Sequence, residues 1–181
     1  RTIDRFVCGY AVATVDEGLK LRRHGIEKEI LCLGPVSAGR YQECLENDIS
    51  LPMFEYRRAK ELSDAAVAEG KTAKIHIAVD TGMSRIGLFP DEGSVETVKE
   101  IAELPALRIA GMFTHFARAD EADKTKAGEQ YRRFHAFCDA GKAAGVEVPV
   151  CHCSNSAGIA EIREANKVGG QAVLGRQLTA A

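Results

Sequence analysis

The hydrophobic residues of this 181-residue chain form short runs that alternate with longer segments of mixed apolar and charged residues. The runs have the length of β-strands, and the segments between them have the spacing of amphipathic helices. Strands that alternate with helices indicate βαβ units and a parallel sheet. The predicted strands lie at residues 6–13, 29–34, 49–54, 74–78, 108–116, 148–153 and 171–174.

Typical start and stop residues bound the predicted helices. The first helix begins at Asp16-Glu17 and ends at His24-Gly25, with acids at its start and a glycine at its end. A long amphipathic helix follows the charged segment 120–126 and ends at Gly145. Further helices are predicted at residues 38–46, 56–69, 94–103 and 157–165.

Two parallel α/β architectures fit this order: the open doubly wound sheet and the (β/α)8 TIM-type barrel. About seven regularly spaced units, without a glycine-rich dinucleotide-binding motif, favour the barrel. A complete barrel has eight strands, so we predict an α/β barrel that lacks one strand. We interpret residues 1–181 as a single, partial barrel domain, and the start at Arg1, in the approach to a strand, as that of a fragment.

Composition and charge narrow the class of partner. A net charge of −2 and a pI near 6.3 show no bias toward nucleic acid or a membrane surface. No apolar run approaches the roughly 20 residues of a membrane-spanning helix, and no signal peptide is evident. We therefore expect a cytoplasmic protein whose partner is a small molecule, not a nucleic acid or a membrane.

Four of the six cysteines indicate core positions, and the set does not indicate a metal site. Cys8, Cys32, Cys151 and Cys153 lie in apolar runs, where a reduced cysteine behaves as a small core residue. On a strand, Cys151 and Cys153 share one face and His152 takes the other, and no second ligand pair has zinc spacing. No metal is therefore predicted.

Polar residues follow several predicted strands at the point where each strand ends. The richest of these stretches, residues 80–87, combines an acid, a hydroxyl, two glycines and an arginine. In a barrel the C-terminal strand ends form the rim on which active sites are built. The candidate site residues are Asp80, Thr81, Arg85, Thr114, His115, His152, Ser154, Asn155, Ser156, Gly169 and Gly170.

Several of these residues also have a purely structural interpretation. Asp80-Thr81-Gly82 is typical of a turn, His115 of a half-buried histidine, and Asn155-Ser156 of a helix N-cap. A helix start also offers N–H groups to a phosphate, and Gly169-Gly170 allows close approach of the backbone. An arginine, two histidines and a phosphate-type tip on one rim together favour an anionic cofactor with an aromatic ring.

Three segments resemble successive motifs of the alanine racemase family. They are residues 80–87 (DTGMSRIG), 114–117 (THFA) and 152–157 (HCSNSA). Their order and mutual spacing match the family, and the similarity extends from about Phe6 to Leu174. Three motifs in register are a far more specific signal than any one of them.

The resemblance implies a fold-type III enzyme that depends on pyridoxal 5′-phosphate, in which the barrel precedes a β-rich C-terminal domain that is absent here. By position, Arg85 matches the arginine that binds the phenolic oxygen of the cofactor and helps to hold the substrate. His115 matches the histidine stacked on the pyridine ring, and His152 the histidine behind the partner of the pyridine nitrogen. The implied phosphate-binding residues are Asn155, Ser156 and Gly170.

The chain departs from the family pattern at four points. The motif that contains the Schiff-base lysine on the first barrel strand does not occur, which makes the first strand the missing one. The second base, a tyrosine, belongs to the C-terminal domain of the partner subunit in a dimer. Ala78 stands where many members have a carbamylated lysine, and Gly169 where they have the arginine that faces the pyridine nitrogen. No catalytic residue is therefore assigned on this chain, which we expect to be inactive in isolation.

The function that the resemblance implies is interconversion of L- and D-alanine by proton abstraction at Cα, in a homodimer. Two alternatives stay open. One is a related enzyme, such as a serine or broad-specificity racemase or a D-threonine-aldolase-like lyase. The other is a non-catalytic module that binds pyridoxal phosphate.

Overall fold

A computed structural model describes residues 4–162 of the chain. Six parallel strands pair in the order of the sequence and form a half-barrel within these residues. The strands are β1 Gly9–Val12, β2 Glu29–Cys32, β3 Ile49–Met53, β4 Ala73–Ala78, β5 Leu107–Phe113 and β6 Val150–His152. The parallel α/β fold is confirmed, and the predicted strand at 171–174 lies outside the described residues.

One helix follows each strand, as the alternating pattern predicts. The helices are α1 Val15–Arg23, α2 Tyr41–Glu46, α3 Tyr56–Ala68, α4 Glu92–Ala102, α5 Thr125–Ala143 and α6 Ser156–Glu161. A capping box starts α1, because Thr14 accepts from the Glu17 N–H and the Glu17 carboxylate accepts from the Thr14 N–H. The part of the predicted helix 157–165 beyond residue 162 lies outside the description.

The two faces of the sheet have different partners. Ile75 and Ile77 of β4 belong to the large core cluster that the helices cover. Leu31, Ala78 and Phe113 form a separate small cluster, with Leu33 and Phe54 packed against it. We call the face of the sheet that holds this second cluster the inner face, because it lies away from the helices. Its residues alternate with the helix-facing ones, as strand geometry requires.

A β-bulge interrupts the pairing of β4 with β5. Ile75 pairs with Ile109, but the next residue, His76, pairs with Gly111, so that Ala110 is the extra residue on β5. A side chain at Gly111 has no room, because a Cβ there lies 2.6 Å from the carbonyl oxygen of Val150 and 2.8 Å from Nδ1 of His76. The glycine lets the imidazole of His76 lie directly against the β5 backbone.

One cysteine prediction is wrong. Cys8 is exposed, because β1 begins only at Gly9, after a short 3-10 turn at Asp4–Phe6. Cys32, Cys151 and Cys153 are buried as predicted. Burial raises the pKa of Cys153 to about 12, so this thiol stays protonated as a core residue. No helix within residues 4–162 is long and apolar enough to cross a membrane.

Candidate functional site

The loop that follows β4 is closed on itself by backbone hydrogen bonds. Leu88 accepts from the Asp80 N–H at 2.8 Å and donates to Ala78 at 2.9 Å, so the loop returns to the strand it left. The Asp80 carboxylate accepts from the N–H groups of Gly82 and Ser84, each at 3.0 Å. The turn interpretation is thus confirmed for Asp80, whose side chain shapes the loop.

Gly87 allows this loop to close. Its φ of +131° lies in the left-handed region that favours glycine. A Cβ at this position lies 2.5 Å from the backbone nitrogen of Asp80 and 2.7 Å from the carbonyl carbon of Val79. The glycine is therefore part of the device that places Arg85 at the rim.

A buried hydrogen-bond cluster ties the ends of β4 and β5 to α5. The hydroxyls of Thr81 and Thr114 lie 2.8 Å apart, and the side-chain amide of Gln130 donates to Thr81 and to the carbonyl oxygen of His115, each at 3.1 Å. The Gln130 carbonyl oxygen accepts from the Ala117 N–H at 3.0 Å. The two threonines, predicted as site candidates, thus hold the strand ends together through their side chains. Gln130 was not predicted, because an amide within a helix gives no sequence signal.

Arg85 lies in the loop that follows β4, and His115 lies just past the end of the neighbouring strand β5, within reach of the charge of Arg85. Arg85 is exposed, and no ion pair or side-chain hydrogen bond engages it within residues 4–162. His115 is half-buried, and burial together with the positive charge of Arg85 lowers its pKa. At neutral pH the site thus presents one exposed cation beside one neutral imidazole, which suits a planar anionic group.

Asn155 is the N-cap of α6, which confirms the capping interpretation for this residue. Its side-chain oxygen accepts from the Gly158 N–H at 2.9 Å, and its amide donates to the Phe116 carbonyl oxygen at 3.2 Å. The side chain therefore joins the start of α6 to the segment that follows His115. Ser156 is the first residue of α6, Ser154 is half-buried just before it, and Gly169 and Gly170 lie outside the described residues.

His152 is one end of a hydrogen-bonded chain on the inner face. Its Nε2 lies 3.1 Å from Nδ1 of His76, whose Nε2 lies 3.2 Å from the carboxylate of Glu29. The Ser50 hydroxyl donates to the same Glu29 oxygen at 2.9 Å. The ring of Phe113 stacks on His152 with 5.4 Å between the ring centroids. Sequence reasoning missed Glu29, Ser50 and His76, because their separation along the chain hides their common face.

The surroundings of Glu29 and of His152 determine the charge of each side chain. The hydrogen bond from His76, supported by that from Ser50, lowers the pKa of Glu29 to about 2 against the opposing effect of burial. Burial, followed by the positive charge that His76 can carry, lowers the pKa of His152 to about 3. Glu29 is thus an anion and His152 a neutral imidazole at physiological pH.

These two pKa values predict acid sensitivity. The folded state keeps His152 neutral, whereas an unfolded histidine takes a proton near pH 6.5, so the free energy of unfolding falls as the pH drops from 6.5 toward 3. The slope expected from this group is about 1.4 kcal/mol per pH unit. Glu29 adds a second loss, because its stabilisation is complete above pH 4.5 and disappears as the pH falls toward 2. Urea unfolding from pH 7.5 to pH 4.5 measures the effect of His152, and extending the series to about pH 2 adds that of Glu29.

The control for the pH range in which His152 acts, from 6.5 toward 3, is His152→Gln, which removes the titrating ring. This variant is expected to lose most of the slope between pH 6.5 and 4.5. The matched variant His135→Gln changes an exposed histidine of α5. An equal slope in the wild type and in His152→Gln contradicts the assignment.

Comparison with known proteins identifies the family. Residues 2–169 match the family model described as alanine racemase, N-terminal domain. The chain belongs to the alanine racemase family. The alanine racemase of Clostridium novyi is 44% identical to it over 162 residues, which are 90% of this chain and 42% of that protein. The alanine racemase of Methanococcus maripaludis is 43% identical over 149 residues, 82% of this chain and 40% of that protein.

Solved structures of alanine racemases share the fold. The structure from Clostridium difficile 630 has a TM-score of 0.86 at 34% identity and covers 89% of this chain and 42% of that one. The structure from Bacillus anthracis with bound L-Ala-P has a TM-score of 0.70 at 38% identity, over 81% of this chain and 38% of that one. The chain thus spans about two fifths of the length of the alanine racemases that it matches.

Proposed function

We propose that this chain is the cofactor-binding part of a pyridoxal 5′-phosphate-dependent alanine racemase. The observation on which the proposal depends is the exposed, unpaired Arg85 beside the neutral, half-buried His115 on neighbouring strand ends. This pair suits an aromatic ring with an anionic oxygen. The named relatives are alanine racemases, which favours alanine over serine or an aldol substrate.

Each residue has a defined part in the proposed site. Arg85 would donate hydrogen bonds to the phenolic oxygen of the cofactor and to the carboxylate of the substrate, which its planar fork of donors suits. His115 would stack on the pyridine ring as a neutral imidazole. Asn155 fixes the start of α6, where Ser156 and backbone N–H groups would hold the phosphate. Gly170, which the resemblance also implies as a phosphate-binding residue, lies outside the described residues. When bound, the cofactor withdraws electrons from Cα and so acidifies its proton.

His152 has an indirect part in the proposed site. It lies at the end of β6 on the inner face, packed on Phe113 and held by His76. We propose that its fixed ring positions the group that meets the pyridine nitrogen. No catalytic base is assigned on this chain.

The proposal extends to architecture and setting. The continuous sheet β1–β6 supports the proposal that residues 1–181 belong to one barrel domain. The absence of a charge bias agrees with a small amino-acid substrate and a cytoplasmic location. A homodimer is proposed because a second base from the partner subunit would complete the site.

A chimera tests the function. The matched segment of the Clostridium novyi racemase is replaced with this chain, so that the remaining segments come from that enzyme. The chimera is expected to bind pyridoxal phosphate with an absorbance band above 400 nm, to interconvert L- and D-alanine, and to support growth of a bacterium that requires D-alanine. Alanine and serine are assayed side by side. The unmodified Clostridium novyi enzyme and a chimera that lacks the segment are the controls.

Two results argue against the proposal. A folded chimera that racemises serine but not alanine favours the related-enzyme alternative. A folded chimera that binds the cofactor and racemises neither amino acid favours the non-catalytic module.

A further inference from the structure

The hydrogen-bonded chain on the inner face joins residues of four strands. Ser50 lies on β3, Glu29 at the start of β2, His76 in the middle of β4 and His152 at the end of β6. Glu29 is near the N-terminal end of the sheet, whereas His152 is at the C-terminal rim. This hydrogen-bonded chain therefore connects the N-terminal end of the sheet with the proposed site.

The hydrogen bond between His152 and His76 and the one between His76 and Glu29 run in the same direction. An ionised carboxylate only accepts hydrogen bonds, so the 3.2 Å contact with Glu29 requires a proton on Nε2 of His76. His76 is 5% exposed and lies between Glu29 and His152. With a single proton, on Nε2, the ring of His76 has a bare Nδ1, which must accept. The 3.1 Å contact with His152 then requires a proton on Nε2 of His152.

We infer that His76 carries this single proton, and that Glu29 is a positioning residue that through His76 fixes His152 as the Nε2–H tautomer with a bare, accepting Nδ1. The two nitrogens of an imidazole point in different directions, so this Nδ1 faces away from His76. It therefore accepts a hydrogen bond from an N–H or O–H group and repels a carbonyl or carboxylate oxygen.

Three features hold the arrangement in place. Ser50 donates to the oxygen of Glu29 that faces His76, which keeps that carboxylate oxygen from turning away. Gly111 leaves space for the His76 ring against β5, and Phe113 stacks on His152. Both imidazoles are thus held by packing as well as by hydrogen bonds, so a change of proton position does not require the rings to move.

The consequence for catalysis depends on the proposed function, but the tautomer itself does not. In the racemase site, an acceptor at His152 selects a donor as the group between it and the cofactor. The proton position can be measured on the chain alone. A chimera that does not racemise alanine therefore leaves this inference intact. Likewise, a different tautomer of His152 leaves the proposed function intact.

The test is a long-range 15N–1H correlation spectrum of the 181-residue chain labelled with 15N-histidine, recorded at pH 7.5. The spectrum separates Nε2–H, Nδ1–H and doubly protonated rings. His76 and His152 are both expected as Nε2–H tautomers. Glu29→Gln replaces the anion by a neutral amide that can also donate, and it is expected to raise the share of the Nδ1–H form of His152 about tenfold.

Matched variants separate this role from a structural one. Ser50→Ala is expected to shift the tautomer ratio of His152 in the same direction as Glu29→Gln, by a smaller factor. Glu100→Gln makes the same exchange on the exposed face of α4 and is expected to leave the ratio unchanged.

Two outcomes overturn the inference. The first is an Nδ1–H signal for His152 in the wild type, which means that His76 is a cation that donates to it. The second is a tautomer ratio in folded Glu29→Gln equal to that of the wild type. If Glu29→Gln does not fold, the wild-type spectrum and Ser50→Ala still decide.

Discussion

Arg85→Ala in the chimera is expected to lower kcat/KM for alanine racemisation by about 100-fold or more, the usual effect of removing a placed charge that stabilises a reacting anion. The free energy of unfolding is expected to change by less than about 0.5 kcal/mol. The two effects differ because Arg85 is exposed and has no ion pair or side-chain hydrogen bond within residues 4–162. Its binding capacity is therefore available to a ligand. Racemisation rates and urea unfolding, measured on the same preparation, test both parts.

Arg132→Ala is the matched control, because it removes an exposed arginine of α5 on the outside of the half-barrel. Its turnover should equal that of the unmodified chimera. Arg85→Lys keeps the charge but loses the planar fork of donors, and should recover only part of the rate. Full turnover in a folded Arg85→Ala chimera removes Arg85 from the site.

Gly111→Ala is expected to destabilise the chain by about 3 kcal/mol, at the upper end of the usual cost of overpacking. The added methyl group lies 2.6 Å from the Val150 carbonyl oxygen and 2.9 Å from Cε1 of His76. Relief requires either separation of β5 from β6 or rotation of the His76 ring. A rotated ring loses its hydrogen bonds to Glu29 and His152. Urea unfolding at pH 7.5 gives the free energy, and the 15N-histidine spectrum reports the ring.

The same substitution has the opposite sign at Gly128. A Cβ there has no neighbour within 4 Å, and the residue lies inside α5, where alanine is favoured over glycine by about 0.5–1 kcal/mol. Gly128→Ala should therefore be slightly more stable than the wild type. A Gly111→Ala variant as stable as the wild type would mean that the contacts around His76 relax without cost.

Local patterns were sufficient to predict most of the elements. The apolar runs at 49–54 and 74–78 match β3 and β4 closely, because both strands are buried along nearly their whole length and such strands have near-continuous apolar sequences. The run at 6–13 was the poorest prediction, since only Gly9–Val12 pairs with β2. Apolar character alone does not distinguish a strand from the segment that leads into it.

The candidate site was predictable where chemistry and chain position coincide. Arg85 and His115 lie in motifs that the family shares, in the segments that follow β4 and β5, and the charge of Arg85 acts on His115. Asp80, Thr81 and Thr114 belong to the same motifs, but their side chains form hydrogen bonds with the protein itself. A motif shows that a residue is near the site and leaves open whether it faces a ligand or supports the loop.

The sequence by itself determined the order of strands and helices, the parallel fold and the family, because each depends on local periodicity or on contiguous motifs. Only the tertiary structure decided that Ser50, Glu29, His76 and His152 form one hydrogen-bonded chain. That chain depends on the register of β2, β3, β4 and β6 and on the bulge opposite His76. Register arises from packing between distant segments, so no local pattern records it.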